Sequence, residues 1–202
     1  MKVIGITGGV GAGKSQILEY LGKKKACRVI MADQVAHMLE EPGQVCYERI
    51  TDLLGADILA SDGRIDKGKM AGRIFGDQNI LVQINDIVHP AVKAYLIDEI
   101  DKERRAGELQ YLFIEAALLI EDGYGQIVDE MWYVHAEEKI RRTRLKENRH
   151  YSDAKIDQIM QGQLSEEMFY RHCPVVIDNS GTLDSAYRQI EEKLGEDLCQ
   201  KQ

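Results

Sequence analysis

The sequence predicts an α/β fold with three layers, in which helices pack on a parallel sheet. Two observations predict it. Short apolar runs rich in β-branched residues alternate with amphipathic helical stretches, and no pair of turn residues typical of a β-hairpin joins neighbouring runs. The chain has 202 residues, of which 44% are hydrophobic. It is therefore long enough for one well-buried domain of this kind and short for two independent ones.

The predicted strands are short, and helical stretches separate them. Strands are expected at Val3–Thr7, Arg28–Met31, Tyr111–Ile114, Glu130–Val134 and Pro174–Ile177. Helices are expected at Ser15–Leu21, Gln34–Leu39, Gln83–Arg105 with an interruption at His89-Pro90, Glu137–Lys146, Asp153–Tyr170 and Leu183–Leu194.

Two segments interrupt this alternation. The stretch from about Asp33 to Leu109 is too long for one crossover, and we expect a helical insertion at about residues 36–106 of a single domain. The stretch that begins at Arg141 is dense in basic residues, and we expect a small mobile lid at about residues 141–155.

Composition excludes several classes of protein. With 26 Lys and Arg against 34 Asp and Glu, the net charge of −8 argues against binding of nucleic acid or an anionic membrane. Four separated cysteines without a Cys-x-x-Cys pair argue against a zinc ribbon or a disulfide-stapled secreted domain. We find no signal-peptide core and no apolar run long enough to span a membrane. We therefore expect a cytoplasmic protein. The expected active form is a monomer or a weak homo-oligomer.

The most informative motif follows the first strand. The octapeptide Gly8-Gly9-Val10-Gly11-Ala12-Gly13-Lys14-Ser15 fits the phosphate-loop pattern, with a strand before it and a helix after it. Glycines allow backbone N–H groups to turn toward phosphate oxygens, and the helix N-terminus favours the same anion. Lys14 can reach the β- and γ-phosphates, and the Ser15 hydroxyl can ligate Mg²⁺. The predicted ATP-binding residues are Gly9, Val10, Gly11, Ala12, Gly13, Lys14, Ser15 and Gln16.

A phosphate loop occurs in several classes of protein. A regulatory GTPase needs a guanine-reading Asn-Lys-x-Asp, which the sequence lacks. A motor ATPase has an acidic pair after a long apolar strand, whereas Leu112–Glu115 ends in one carboxylate. The length, the insertion and the basic lid favour a small-molecule kinase. A nucleoside monophosphate kinase and a nucleotide-dependent switch remain the alternatives.

A kinase that acts on an alcohol needs a carboxylate near the acceptor hydroxyl. Asp33 ends the second predicted strand, at the sheet edge where ligands bind, and is the candidate base. An N-cap of the following helix is the competing interpretation. Arg141, Arg144 and Arg149 are candidates to clamp the transferring phosphoryl group, and a solvated basic helix face is the alternative.

Motifs along nearly the whole chain resemble those of the dephospho-CoA kinase family. They are Thr7–Ser15, Ala32-Asp33 with Ala36-His37, Glu41-Pro42-Gly43, His89-Pro90, Ala117–Glu121, Gln163 and Ile177–Gly181. The resemblance implies transfer of the γ-phosphate of ATP to the ribose 3′-hydroxyl of dephospho-CoA, with Mg²⁺ as cofactor. It also implies a five-stranded parallel core, a helical CoA-binding subdomain, and Asp33 as the catalytic base.

The remaining candidate residues follow from these motifs. Lys14, Arg144 and Arg149 join Asp33 as predicted catalytic residues, and Asn179 joins the ATP-binding set. His37, His89 and Glu121 are the predicted substrate-binding residues. A surface position explains His37 equally well, and a helix break explains His89-Pro90.

The sequence departs from the family pattern at a few positions. Gln16 stands where Thr is common, Ala117 replaces a frequent Pro, and Ile120 replaces a frequent Phe. The spacing from Arg144 to Arg149 is one residue longer than the common lid pattern. This spacing leaves Arg141, Arg142 and Arg144 as alternatives for the inner arginine of the lid.

Overall fold

The centre of the fold is a five-stranded sheet in the order β2-β3-β1-β4-β5. The computed structural model describes residues 1–199. The strands are β1 (Lys2–Thr7), β2 (Cys27–Met31), β3 (Tyr111–Glu115), β4 (Glu130–His135) and β5 (Val175–Asp178). Strand β1 pairs in parallel with β3 and β4, and β4 pairs in parallel with β5. The predicted α/β class with a parallel sheet is confirmed.

The central strands β1 and β3 are buried, and each has a neighbouring strand at both of its edges. Every residue of β3 is buried, as is β1 after Lys2. Apolar, β-branched side chains suit such positions, where no face of the strand meets water. In the register, Ile6 lies opposite Glu115 on one side and Trp132 on the other, so these strands end close together.

The helices follow the predicted order, and several extend beyond the predicted ends. They are α1 (Lys14–Gly22), α2 (Ala32–Leu39), α3 (Val45–Leu54), α4 (Lys67–Gly76), α5 (Gln78–Ala106), α6 (Glu138–Arg149), α7 (Asp153–Gln161), α8 (Glu166–His172) and α9 (Leu183–Cys199). None of the helices within residues 1–199 combines the length and the apolar character needed to cross a membrane.

Helix α5 corrects one expectation. The sequence predicts an interruption at His89-Pro90, but α5 is one helix of 29 residues with Pro90 inside it. Proline removes one backbone donor and crowds the preceding turn, a cost of about 3 kcal/mol in a helix interior. The apolar face of α5, with Ile84, Ile87 and Val92 buried on either side of Pro90, offsets that cost by packing.

Two other predicted helices have different boundaries. The stretch predicted as Asp153–Tyr170 is two helices, because Ser165 accepts a hydrogen bond from Met168 N and caps a new helix, α8. Helix α2 begins at Ala32, with Met31 as its N-cap. Asp33 is therefore not the N-cap that the alternative interpretation required, but an acidic residue of the first turn.

The chain divides into two compact units. The first comprises residues 1–29 and 107–202 and contains the glycine loop with strands β1, β3, β4 and β5. The second comprises residues 30–106. Within it, helices α2, α3 and α4 all pack against α5, and the core between them includes Leu39, Cys46, Ile50 and Leu96.

Candidate functional site

The glycine loop between β1 and α1 is shaped by close approaches that only glycine allows. Gly13 is the N-cap of α1 with a φ of 89°, in the left-handed region. A Cβ atom at this position would lie 2.3 Å from Asn179 Nδ2, and one at Gly9 would lie 2.4 Å from Arg141 Nη2. Side chains from distant parts of the sequence therefore press directly on the loop backbone.

Asn179 is one of these side chains. It follows strand β5, is fully buried, and donates a hydrogen bond from Nδ2 to Ala12 O at 2.7 Å. Its backbone N–H donates to His135 O at 2.8 Å, at the end of β4. Its Oδ1 has no hydrogen-bond partner among residues 1–199. A buried acceptor without a partner is costly, so this amide oxygen can accept from a water or a rearranged donor.

The turn that carries Asn179 is fixed by a polar cluster. His135 Nδ1 lies 3.2 Å from Asp178 Oδ1. His135 Nε2 lies 2.9 Å from Glu166 Oε1. Asp178 Oδ1 also accepts hydrogen bonds from the N–H and the hydroxyl of Ser180. Partial burial raises the pKa of Asp178, but the hydrogen bonds from Ser180 and His135 outweigh it and hold the pKa below its ordinary value. An ionised Asp178 therefore anchors the end of β5.

Lys14 and Ser15 occupy the first turn of α1. Lys14 Nζ donates a hydrogen bond to Gly8 O at 2.6 Å, so the ammonium group folds back across the loop. Ser15 is exposed, as is Gln16 beside it. The ammonium group thus lies at the start of the loop, and the Ser15 hydroxyl and the helix N-terminus lie at its end. This combination attracts a phosphate chain.

The donor groups here fit a magnesium ion that arrives with a nucleotide. No cluster of three or more His, Cys, Asp or Glu side chains able to hold a metal occurs in the described part of the chain. Mg²⁺ commonly takes one or two protein oxygens together with phosphate oxygens and water. The exposed Ser15 hydroxyl beside the loop is a donor of that type.

Arg141 is the first of two arginines that helix α6 places on the loop. Its Nε donates to Val10 O at 2.9 Å, and its Nη2 donates to Gln163 Oε1 at 2.7 Å. Val10 N also donates to Gln163 Oε1, at 3.3 Å. Burial lowers the pKa of Arg141 from its ordinary value, although the guanidinium remains charged at neutral pH.

Arg144 is the second, one turn further along the same face of α6. Its Nη2 donates to Asn179 O at 2.8 Å and its Nη1 to Ala12 O at 3.3 Å. Arg144 and Asn179 therefore hold the same carbonyl group of the loop. Both arginines also bring positive charge to a site whose ligand is anionic.

The other basic residues of α6 lie elsewhere. Arg142 forms ion pairs with Glu138 at 2.7 Å and with Asp157 of α7 at 2.6 Å. Arg149, a catalytic candidate from the sequence, is the exposed last residue of α6, two turns beyond Arg141. The structure brings Arg141 and Arg144 to the loop, and it turns Arg142 toward carboxylates.

The second unit contains a different group of predicted residues. Asp33 and His37 are both exposed and lie one helical turn apart on α2. His37 also lines a cavity of about 200 Å³ with Glu40, Glu41, Arg64, Ile65 and Lys67. Burial raises the pKa of Glu40, while His37 and Lys67 act in the opposite direction. This mixed lining suits a polar ligand better than a purely apolar or purely anionic one.

The two remaining substrate candidates are in different units. His89 is half-buried in the middle of α5, in the second unit. Glu121 is exposed in the connection between β3 and β4, in the first unit. The exposed Leu118 precedes it in the same connection.

Two residues of the first unit have surroundings that the sequence did not predict. Gln163 is one position of a family motif, and its amide oxygen joins Arg141 to the loop. Glu115 is a buried carboxylate at the end of β3, opposite Ile6 of β1. An acidic residue directly after an apolar strand was its signal. Nothing in the local sequence marks Gln163, since its partners lie far away along the chain.

Comparisons with known proteins decide which kind of phosphate-loop protein this is. The family model described as dephospho-CoA kinase (CoaE) matches residues 2–185. The chain belongs to the dephospho-CoA kinase family. The match makes it an enzyme, a nucleotide-dependent kinase that phosphorylates dephospho-CoA in the final step of coenzyme A biosynthesis.

Individual dephospho-CoA kinases show the same relationship across the full chain. The one from Geobacter sulfurreducens is 36% identical over 194 residues, which cover 95% of this chain and 96% of the relative. The one from Shouchella clausii is 31% identical over 191 residues, with 95% and 96% coverage. The solved structure of a dephospho-CoA kinase from Campylobacter jejuni has a TM-score of 0.72 at 17% identity and covers all of both chains, which shows the shared fold.

Proposed function

We propose that the chain transfers the γ-phosphoryl group of ATP to the ribose 3′-hydroxyl of dephospho-CoA, with the first unit holding ATP and the second unit presenting the acceptor. The observation that carries this proposal is the arrangement of Lys14, Arg141 and Arg144 around the glycine loop. Three cationic side chains at one phosphate loop suit a triphosphate whose charge shifts during transfer.

In the proposed reaction, a bond forms between the 3′-oxygen of the acceptor and the γ-phosphorus. The bond from that phosphorus to the bridging oxygen breaks, and ADP leaves. Asp33 is the proposed base that accepts the hydroxyl proton, because it is an exposed carboxylate in the first turn of α2. His37, one turn later on the same face, is a proposed contact to the acceptor.

The first unit is proposed to stabilise the transferring group. Lys14 exchanges its hydrogen bond with Gly8 O for contacts with the β- and γ-phosphates, and Arg141 and Arg144 face the same charge from α6. Bound Mg²⁺, held by the Ser15 hydroxyl, would neutralise part of the phosphate charge.

Other parts of the prediction are carried forward as proposals. The helical unit of residues 30–106 is proposed to bind the CoA portion of the acceptor, with the cavity beside His37 and the side chain of His89 as contact sites. Glu121 is proposed to contact the acceptor from the first unit. Residues 141–155 are proposed to act as the lid, with Arg149 reaching the phosphates only when it closes.

The cellular setting is also a proposal. The described cysteines Cys27, Cys46 and Cys173 are free thiols, which suits the reducing cytoplasm. A monomer or a weak homo-oligomer is proposed as the active form, and light scattering during gel filtration measures its mass directly.

A coupled ADP-release assay tests the proposed function. Purified protein is given ATP and Mg²⁺ with dephospho-CoA, AMP, UMP or no acceptor. We expect ADP to form with dephospho-CoA alone, and mass spectrometry should identify CoA as the product. Turnover with a nucleoside monophosphate would indicate a kinase for that acceptor. Acceptor-independent hydrolysis alone would indicate a nucleotide-dependent switch.

A further inference from the structure

Val10 of the glycine loop is hydrogen-bonded at its N–H by Gln163 and at its carbonyl group by Arg141. Gln163 Oε1 accepts hydrogen bonds from Val10 N at 3.3 Å and from Arg141 Nη2 at 2.7 Å. Arg141 Nε donates to Val10 O at 2.9 Å. These three hydrogen bonds form a closed ring of Val10, Gln163 and Arg141. The ring fixes the guanidinium against the loop in both position and orientation.

The loop is shaped to receive this guanidinium. A Cβ atom at Gly9 would lie 2.4 to 2.9 Å from three atoms of the Arg141 guanidinium group. A Cβ atom at Gly11 would lie 2.9 Å from Arg141 O and 3.1 Å from Leu145 Cγ. Two glycines of the phosphate loop thus give room to Arg141 and its helix, in addition to any ligand.

The groups that accept hydrogen bonds from Arg141 carry no charge. Its hydrogen bonds with described residues go to the neutral oxygens of Val10 and Gln163. Arg142, on the same helix, is instead paired with two carboxylates. Glu138 and Glu166 attract this charge without a hydrogen bond to it, but burial of the guanidinium outweighs their effect and lowers the pKa of Arg141. A bound anion at the loop would supply a negative charge in direct contact with the guanidinium.

We propose that Gln163 is a positioning residue, whose neutral amide oxygen fixes Arg141 on Val10 and leaves the positive charge of Arg141 available to the transferring phosphoryl group. This inference rests on the proposed function of the loop as the ATP site. It explains why an acceptor without charge suits this position. A carboxylate would form the same hydrogen bonds but neutralise the guanidinium, and an apolar side chain would leave both donors without their acceptor.

A double-mutant cycle tests whether Gln163 acts through Arg141. Gln163→Met keeps the length of the side chain but removes the acceptor, and we expect kcat to fall roughly tenfold, as for loss of one hydrogen bond to a charged group. In the Arg141→Met background the same change should have no further effect on kcat. Equal losses in both backgrounds would overturn the proposal, because they would show that Gln163 acts independently of Arg141.

A control variant separates positioning from folding. Gln158→Met makes the same change at an exposed position of helix α7. We expect it to retain wild-type kcat, and we expect Gln163→Met to melt within a few degrees of it. If the loss of kcat in Gln163→Met is matched by a general loss of folded protein, its role is structural and the proposal fails.

A second variant tests whether the side chain at position 163 must be uncharged. Gln163→Glu preserves the accepting oxygen and adds a negative charge beside Arg141. We expect ATP to bind this variant roughly tenfold more weakly in calorimetry without an acceptor, with the melting temperature unchanged or higher. Wild-type affinity for ATP in Gln163→Glu would show that the charge of Arg141 does not serve the nucleotide.

The two proposals fail in distinguishable ways. If the wild-type protein binds ATP but does not phosphorylate dephospho-CoA, the proposed acceptor is wrong. The Gln163→Glu comparison is still valid in that case, because it needs only ATP. If the wild type is an active kinase and the cycle is additive, the proposed function stands and the role of Gln163 is refuted.

Discussion

The two units of the molecule hold their candidate residues in opposite ways. In the first unit, the glycine loop is contacted by side chains that lie far along the chain: Arg141 and Asn179 are 131 and 167 residues away from the loop residues they bind. In the second unit, Asp33 and His37 are four residues apart and exposed on one helix. The first group of candidate residues is assembled by tertiary contacts, and the second is presented by a single helix.

This difference suits the proposed roles of the two units, in which the first holds ATP and the second presents the acceptor. A triphosphate needs several donors in a fixed geometry, and long-range hydrogen bonds provide it by restricting the loop before the ligand arrives. An acceptor hydroxyl needs one accessible carboxylate. Changes in the first unit should therefore affect the stability and nucleotide affinity of the protein, whereas changes on α2 should affect turnover alone.

The largest expected effect is in the second unit. Asp33→Asn removes the proposed base, and we expect kcat to fall roughly 10³-fold while the dissociation constant for ATP stays near that of the wild type. Asp33 is exposed, so the melting temperature should also change little. Stopped assays and calorimetry measure these quantities. A variant with wild-type turnover would remove Asp33 as the base and favour an acceptor that already carries a phosphate.

The matching change in the first unit is Lys14→Ala. It removes an ammonium group that donates to Gly8 O and is proposed to contact the γ-phosphate. We expect kcat to fall roughly 10²-fold and, in contrast to Asp33→Asn, ATP to bind more weakly. If Lys14→Ala affected turnover alone, the proposed division between the two units would be contradicted.

A pair of glycine substitutions tests how differently the two units use backbone freedom. Gly13→Ala places a Cβ atom at a positive φ and close to Asn179 Nδ2, so we expect a loss of at least about 1–2 kcal/mol in the free energy of unfolding. Gly72→Ala adds the same atom within helix α4, where nothing lies within 4 Å. It should stabilise the protein by about 0.5–1 kcal/mol. Urea unfolding without ligand measures both values, and equal effects would refute the distinction.

A further expected effect concerns the pH dependence of the first unit. Burial, with a further contribution from Glu166, raises the pKa of Tyr133 to about 12. The folded state therefore retains the phenolic proton longer than the unfolded state. The stability from neutral Tyr133 is complete below the unfolded pKa of about 10 and is lost as the pH rises through about 12.

Tyr133→Phe removes this titration. Relative to the variant, the wild type should lose about 2 kcal/mol of unfolding free energy between about pH 9 and about pH 12. Urea unfolding at the two pH values measures the difference. Parallel losses in the two proteins would show that Tyr133 does not contribute to alkaline instability.

Most of the fold is predictable from the sequence because its signals are local. Each of the five strands was expected within a residue or two of its position, since apolar β-branched runs of this length suit strands buried on both faces. The prediction was wrong at Pro90, where a local rule for helix breaking competed with the packing of a long apolar face. It was also wrong for the stretch 153–170, where Ser165 begins a new helix.

The sequence alone predicts the glycine loop, Lys14, Ser15 and Asp33 as candidates, because each lies in or beside a motif whose spacing carries its own chemistry. Only the tertiary structure decided which arginines of α6 meet the loop. Four arginines lie on that helix, and their positions in the sequence do not show which neighbour each of them contacts. Because α6 packs on Gly9 and Gly11, Arg141 and Arg144 contact the loop. Arg142 instead forms ion pairs with carboxylates. Gln163 joins the site for the same reason: hydrogen bonds between residues distant in sequence exist only after the chain has folded.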